Sequence, residues 1–252
     1  MFASFTLLAK GAYPAEMHIR LPFSMVSNNE SEGCLEIMPA FWWLHNMYAL
    51  ARNNWKFQTR DKRLTKVQNI EFDTYAPDSM EEVLQGMELL ALWTAKAWFL
   101  SRGEDCAAVG FEALVRKGRE LLDGPYETVA SLEVLGEDVA YSEMIVHYAM
   151  GNVLKYFEGN SSPSFEYLSE LSAAPREKMW VNLGGQLMKN SDVDTIREDI
   201  VSGVLPDWVS IHSRYSQIWQ SYPGEKLAHS VQCLAELYGT RCLSKEDWSR
   251  AL

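Results

Sequence analysis

The chain has 252 residues, 34 acidic against 23 basic side chains, a formal charge of −11 and 47% hydrophobic residues. That length allows one large domain or two small ones and a core that needs no disulfide or metal, and the apolar content excludes global disorder. So acidic a chain repels polyanions, which argues against nucleic acid and anionic membranes as partners, and 15 Gly with 9 Pro are sparse punctuation for an all-β protein.

Residues 1–38 read differently from the rest. FASFTLLAKG, MHIRLPFSMVSN and CLEIM are short bulky apolar runs separated by Gly11, Pro14 and the polar stretch 28–33, a pattern for extended segments or short strands. The N-terminus has neither the basic region nor the apolar length of a signal peptide. An opening strand carrying Phe2, Phe5, Leu7 and Leu8 predicts that another chain or domain covers it.

From Pro39 the period becomes helical. Phe41, Leu44, Tyr48, Ala51 and Trp55 form a stripe expected to face the core, after a Pro suited to the first helical turn. Residues 61–77 are charged and irregular, the plausible linker, with one short strand expected around 67–72. Ser79-Met80-Glu81-Glu82 reads as a capping box opening a helix to Ser101, ended by Gly103. Further helices are expected over 104–122 (stopped by Gly124-Pro125), 138–157, 163–172, 176–189, 192–203, 206–221, 224–238 and 244–251, with Gly184-Gly185 either kinking the 176–189 helix or allowing close helix packing. The reading is a mainly α protein: a multi-helix bundle or array over residues 39–252 with a short extended or β segment over residues 1–38.

Catalytic signatures are scarce. The sequence has no G-x-S-x-G, P-loop, G-x-G-x-x-G or H-E-x-x-H. Glu143 and His147 share a helix face, but a single such pair is an ordinary helix contact, so neither a metal nor a cofactor is expected. His18, His45, His212 and His229 read as packed or surface histidines. Cys34, Cys106, Cys233 and Cys242 form no paired motif and point to reduced thiols in a cytoplasmic protein.

One stretch stands out: Arg52, Lys56, Arg60, Lys62, Arg63 and Lys66 face Asp61 alone. Arg52, Lys56 and Arg60 follow at i, i+4 and i+8 and project from one helix face. Guanidinium forks and ammonium groups match phosphate oxygens, and Trp42 and Trp55 offer flat faces for a ring, which makes Arg52, Lys56, Arg60 and Arg63 the candidate anion contacts. The plainer alternative is a solvated face paired with acidic neighbours. The aromatic helix in residues 206–223 (Trp208, Ile211, Tyr215, Ile218, Tyr222) reads as packing.

Two stretches carry a resemblance: residues 2–63, FASFTLLAKGAYPAEMHIRLPFSMVSNNESEGCLEIMPAFWWLHNMYALARNNWKFQTRDKR, and residues 206–240, PDWVSIHSRYSQIWQSYPGEKLAHSVQCLAELYGT. Together they resemble the C-terminal part of a family of large bacterial proteins of unknown function. Those proteins carry hexapeptide-repeat, left-handed β-helix domains and are broadly similar to sugar-nucleotide acyltransferases and nucleotidyltransferases. The resemblance implies that Met1 falls where a repeat region runs out and that the β-helix domain of the parent protein is a partner. It supplies no catalytic residues. The resulting expectation is a non-catalytic accessory or assembly domain touching a phosphorylated sugar or sugar nucleotide. The alternatives are a helical dimerisation module, a homo-oligomer, and a stand-alone helical enzyme on a phosphate ester with His45 or Glu36 as acid or base.

Overall fold

The computed structural model describes residues 1–122 and 137–251, and the protein is mainly α. The stop expected at Gly124-Pro125 lies outside the described residues. The chain forms two units, Met1–Ala49 with Glu81–Glu143, and Leu50–Met80 with Met144–Leu252.

In the first unit, strands β1 (Leu7–Leu8), β2 (Met25–Asn29) and β3 (Cys34–Met38) form a sheet in that order, β1 parallel to β2 and β2 antiparallel to β3. The opening strand is therefore paired by its own chain. Leu7 pairs with Met25, and an isolated bridge joins Phe2 to Ile19. Phe5 stacks on the fully buried Phe23 with ring centroids 4.8 Å apart, so the bulky run packs locally. A short helix α1 (Phe41–His45) follows, entered through Ala40 at φ 51°. Helix α4 (Phe111–Leu122) crosses close to α3 (Pro77–Ser101) at Gly118, where a Cβ would lie 1.8 Å from the carbonyl oxygen of Ala91. Only a residue without a side chain permits that approach.

Helix α2 (Met47–Thr59) corrects the core stripe. The chain breaks at Asn46, in a non-helical conformation, and restarts in a new register. Leu50 is the buried residue of α2, whereas Tyr48 is 77% and Trp55 63% exposed. Phe57, also more than half exposed, is tilted on Phe72 with ring centroids 5.1 Å apart.

The second unit is built on α5 (Glu137–Gly159) from Met144 onward, α6 (Phe165–Ala173), α7 (Asn190–Val201), α8 (Trp208–Leu237) and α9 (Lys245–Ala251). Ala149, Val153, Leu168, Val231, Leu234 and Trp248 make its main core. Three expectations are corrected. Residues 176–189 are not helical: β4 (Trp180–Leu183) and β5 (Gln186–Lys189) form a hairpin whose two-residue turn, Gly184-Gly185, sits at φ 64° and 106°. Paired positive φ values are what a tight hairpin demands, so the glycines make a turn instead of a kink. Helix α8 runs unbroken through Pro223, which it holds by burying Tyr222, Lys226, Leu227 and the stretch from His229 to Ala235. Helix α3 begins at Pro77, two residues before the expected cap, because Pro suits the first helical position; the Ser79 hydroxyl accepts from the Ala76 amide (3.1 Å).

The expected linker is also corrected. Residues 68–71 form no strand but lie along the hairpin turn, with the Glu71 amide donating to Gly185 O (2.8 Å) and the Asn69 amide group to the Gln186 side chain (3.1 Å). A short hydrogen bond from the Gln68 amide to Gly184 O completes the attachment. That attachment sets the walls of the candidate site.

Candidate functional site

Two cavities of the second unit flank the segment 70–73, and Ile70 and Phe72 line both. The first is a groove of about 710 Å³ beside α2, lined by Asn53, Lys56, Phe57, Arg60, Asp61, Arg63 and those two apolar residues. Helical spacing places Lys56 and Arg60 one turn apart on its wall. Neither makes an ion pair with any described residue. Arg63 is different. It closes a fork on Asp61, Nε to Oδ1 at 2.9 Å and Nη2 to Oδ2 at 2.8 Å, and gives Nη1 to Gln68 Oε1 at 2.9 Å. Hydrogen bonds from the Arg63 side chain and amide hold the Asp61 carboxyl well below the usual carboxylate range. The groove thus keeps two uncompensated positive charges in an acidic chain.

Of the candidate anion contacts, the structure brings Lys56, Arg60 and Arg63 to one groove. Arg52, a turn earlier and exposed, is not part of its lining, nor is Trp55. Trp42 lies in the first unit and donates its indole N–H to the Phe5 carbonyl (2.7 Å), a structural use. In that unit His45 packs against the Phe41 ring at 5.5 Å, and Glu36 accepts from Asn29 Nδ2 at 2.7 Å. The spaced pair on α5 turns to different neighbours: Glu143 accepts from Trp43 Nε1 (2.8 Å), while His147 meets the Tyr75 ring edge-on at 5.1 Å. Burial lowers the pKa of His147 and pushes the Tyr75 phenol up to about 12.

The second cavity, of about 510 Å³, holds a polar cluster that sequence patterns did not disclose. Lys226 is only 7% exposed and bonds Glu71 Oε2 at 2.7 Å and Asp73 Oδ2 at 2.8 Å. Lys155 reaches the same Asp73 oxygen at 2.9 Å, and the Tyr222 hydroxyl donates to Glu71 Oε2 in a short hydrogen bond. Burial works to raise the Asp73 pKa, but the Lys226 and Lys155 ammonium groups outweigh it and hold the carboxyl below its ordinary value. Burial, with Glu71 adding to it, drives the Tyr222 phenol far upward, so it stays a donor. Asp78 is raised, chiefly by burial. The available signal was Lys226 itself, a lone cation heading the apolar positions Leu227, Val231 and Leu234 on α8. A buried lysine requires carboxylate partners.

The four cysteines form no disulfide, and Cys233 is buried. No helix among the described residues is long and apolar enough to cross a membrane.

The chain matches no protein-family model and no solved structure. It is 35% identical over 250 residues to an uncharacterized protein of Treponema pallidum (strain Nichols), an alignment covering 95% of this chain and 34% of that protein. The chain therefore spans about a third of the length of the relative it matches.

Proposed function

We propose that this chain is a non-catalytic accessory or assembly domain of a larger, hexapeptide-repeat, transferase-like protein, and that its α2 groove contacts a phosphorylated sugar or sugar nucleotide. The observation that carries the reading is the pair Lys56 and Arg60. Both stand in one concave wall, without carboxylate partners among the described residues, above the apolar floor of Phe57, Ile70 and Phe72. Such a groove offers a phosphate two charge-assisted hydrogen bonds and offers an attached ring an apolar surface. Asp61, the one carboxylate in the lining, is kept ionised by Arg63 and has no proton to give as a general acid. The Treponema protein, three times as long as the aligned stretch, supports a role as one part of a larger chain.

Calorimetric titration with UDP-glucose and glucose 1-phosphate at low salt tests the reading. Expected is saturable binding that weakens steeply with added salt, since exposed charges are screened over about 10 Å at 0.1 M. Absence of heat with both ligands at millimolar concentration would remove the ligand.

A second reading, self-association into a dimer, rests on the outer strands of the N-terminal sheet. Leu8 on β1 and Leu35 on β3 are each more than two fifths exposed. Sedimentation at tens of micromolar decides it; a monomer there would dismiss it.

A further inference from the structure

We propose that the cavity beside Lys226 is a binding site for the uncharged, polyhydroxylated ring of a sugar. The charge within it closes: Lys226 and Lys155 balance Glu71 and Asp73, so the cavity has no net charge with which to hold an ion. Its hydrogen-bonding capacity does not close. Asp73 places both lysines on Oδ2, and its Oδ1 has no partner among the described residues. Asn152 directs its amide N–H to the Tyr148 carbonyl at 2.8 Å, which leaves Oδ1 facing no described donor. Pro223 has no N–H to give to the carbonyl of Trp219, the residue four before it. At the rim, Lys155 has one proton on Asp73 and two further donors. Sugar hydroxyls, each donor and acceptor at once, answer such a set better than a phosphate or an ammonium group does.

The wall supplies the apolar half of the recognition. Trp219 lines the cavity and stacks on Tyr222 with centroids 5.1 Å apart and planes 10° from parallel. Tyr222 is itself fixed by its hydroxyl on Glu71, so the indole plane is set before any ligand arrives. Tyr156 and Phe72 add further aromatic surface. A cavity of this size, mostly apolar with a few converging polar atoms, has the usual character of a small-molecule site. The ring site stands on these observations alone. Only its connection to a phosphate, across the shared residues Ile70 and Phe72, rests on the function proposed above.

Saturation-transfer NMR on the full chain, in phosphate-free buffer, tests the proposal with D-glucose, D-galactose, D-mannose and N-acetylglucosamine as probes. At least one should bind saturably in the millimolar range. Asp73→Asn should weaken it by about tenfold, the loss expected of one hydrogen bond to a charged group, and Trp219→Ala should abolish it. Should Trp219→Ala fail to fold by circular dichroism, Asn152→Leu removes an acceptor while keeping volume and should also weaken binding. No saturable binding by any of the four sugars, or binding unchanged in Asp73→Asn and Asn152→Leu, would overturn the ring site. Inorganic phosphate titrated separately reports on the α2 groove: its failure beside successful sugar binding removes the anion reading and leaves the ring site standing.

Discussion

The groove beside α2 and the cluster around Lys226 share two wall residues and differ in how they treat charge. At the cluster, each cation meets a carboxylate within 3 Å, and the carboxylates are held by further donors. At the groove, Arg63 alone is matched, and Lys56 and Arg60 are left to solvent or to a ligand. A matched buried network fixes structure, and one partner removed leaves a charge stranded. An unmatched exposed pair contributes little to folding and is available for binding. The same side-chain chemistry therefore does different work according to burial.

The sharpest way to break this contrast is Lys226→Met. It strands Glu71 without its cation and leaves Asp73 with Lys155 alone, and urea unfolding should show a loss of about 3–5 kcal/mol. A loss under about 1 kcal/mol, the range of exposed ion pairs, would mean the cluster is not a structural network. Next in size is Lys56→Ala, which should change stability by no more than about 0.5 kcal/mol while weakening phosphate-ester binding about tenfold. Asp61→Asn sharpens the contrast from the other side. Releasing Arg63 from its fork adds a third cation to the groove, and calorimetry should show tighter binding of glucose 1-phosphate than in the parent chain.

The smallest effect is in pH. The folded Asp73 pKa lies below the unfolded value, so its contribution is complete above about pH 4 and fades as pH falls further. Urea midpoints at pH 6 and pH 3 should therefore fall further in the parent chain than in Asp73→Asn. Equal falls would show that the lysines do not favour the Asp73 carboxylate.

Much of the helical architecture was readable because caps and periodicity are local. Asp207 caps α8 with a reciprocal bond to Ser210, and Gly103 ends α3 at φ 70°. The failures share a different cause. Gly184-Gly185 reads locally as a feature inside a helix, and its role as a turn depends on two strands pairing across it; a stop at Pro223 is likewise the local expectation, which tertiary burial of α8 overrides. The aromatic stripe of α2 failed because a one-residue break at Asn46 shifts the helix face. The basic run was legible because helical spacing is regular. The Lys226 cluster was not, because Glu71, Asp73, Lys155 and Lys226 converge from segments up to 155 residues apart.

The most direct test of the central claim is a paired measurement on the Lys56→Ala/Arg60→Ala double variant and the parent chain: affinity for glucose 1-phosphate at low salt, and the urea midpoint. Binding should be lost and the midpoint kept. Binding kept, or binding and stability falling together, would contradict that claim.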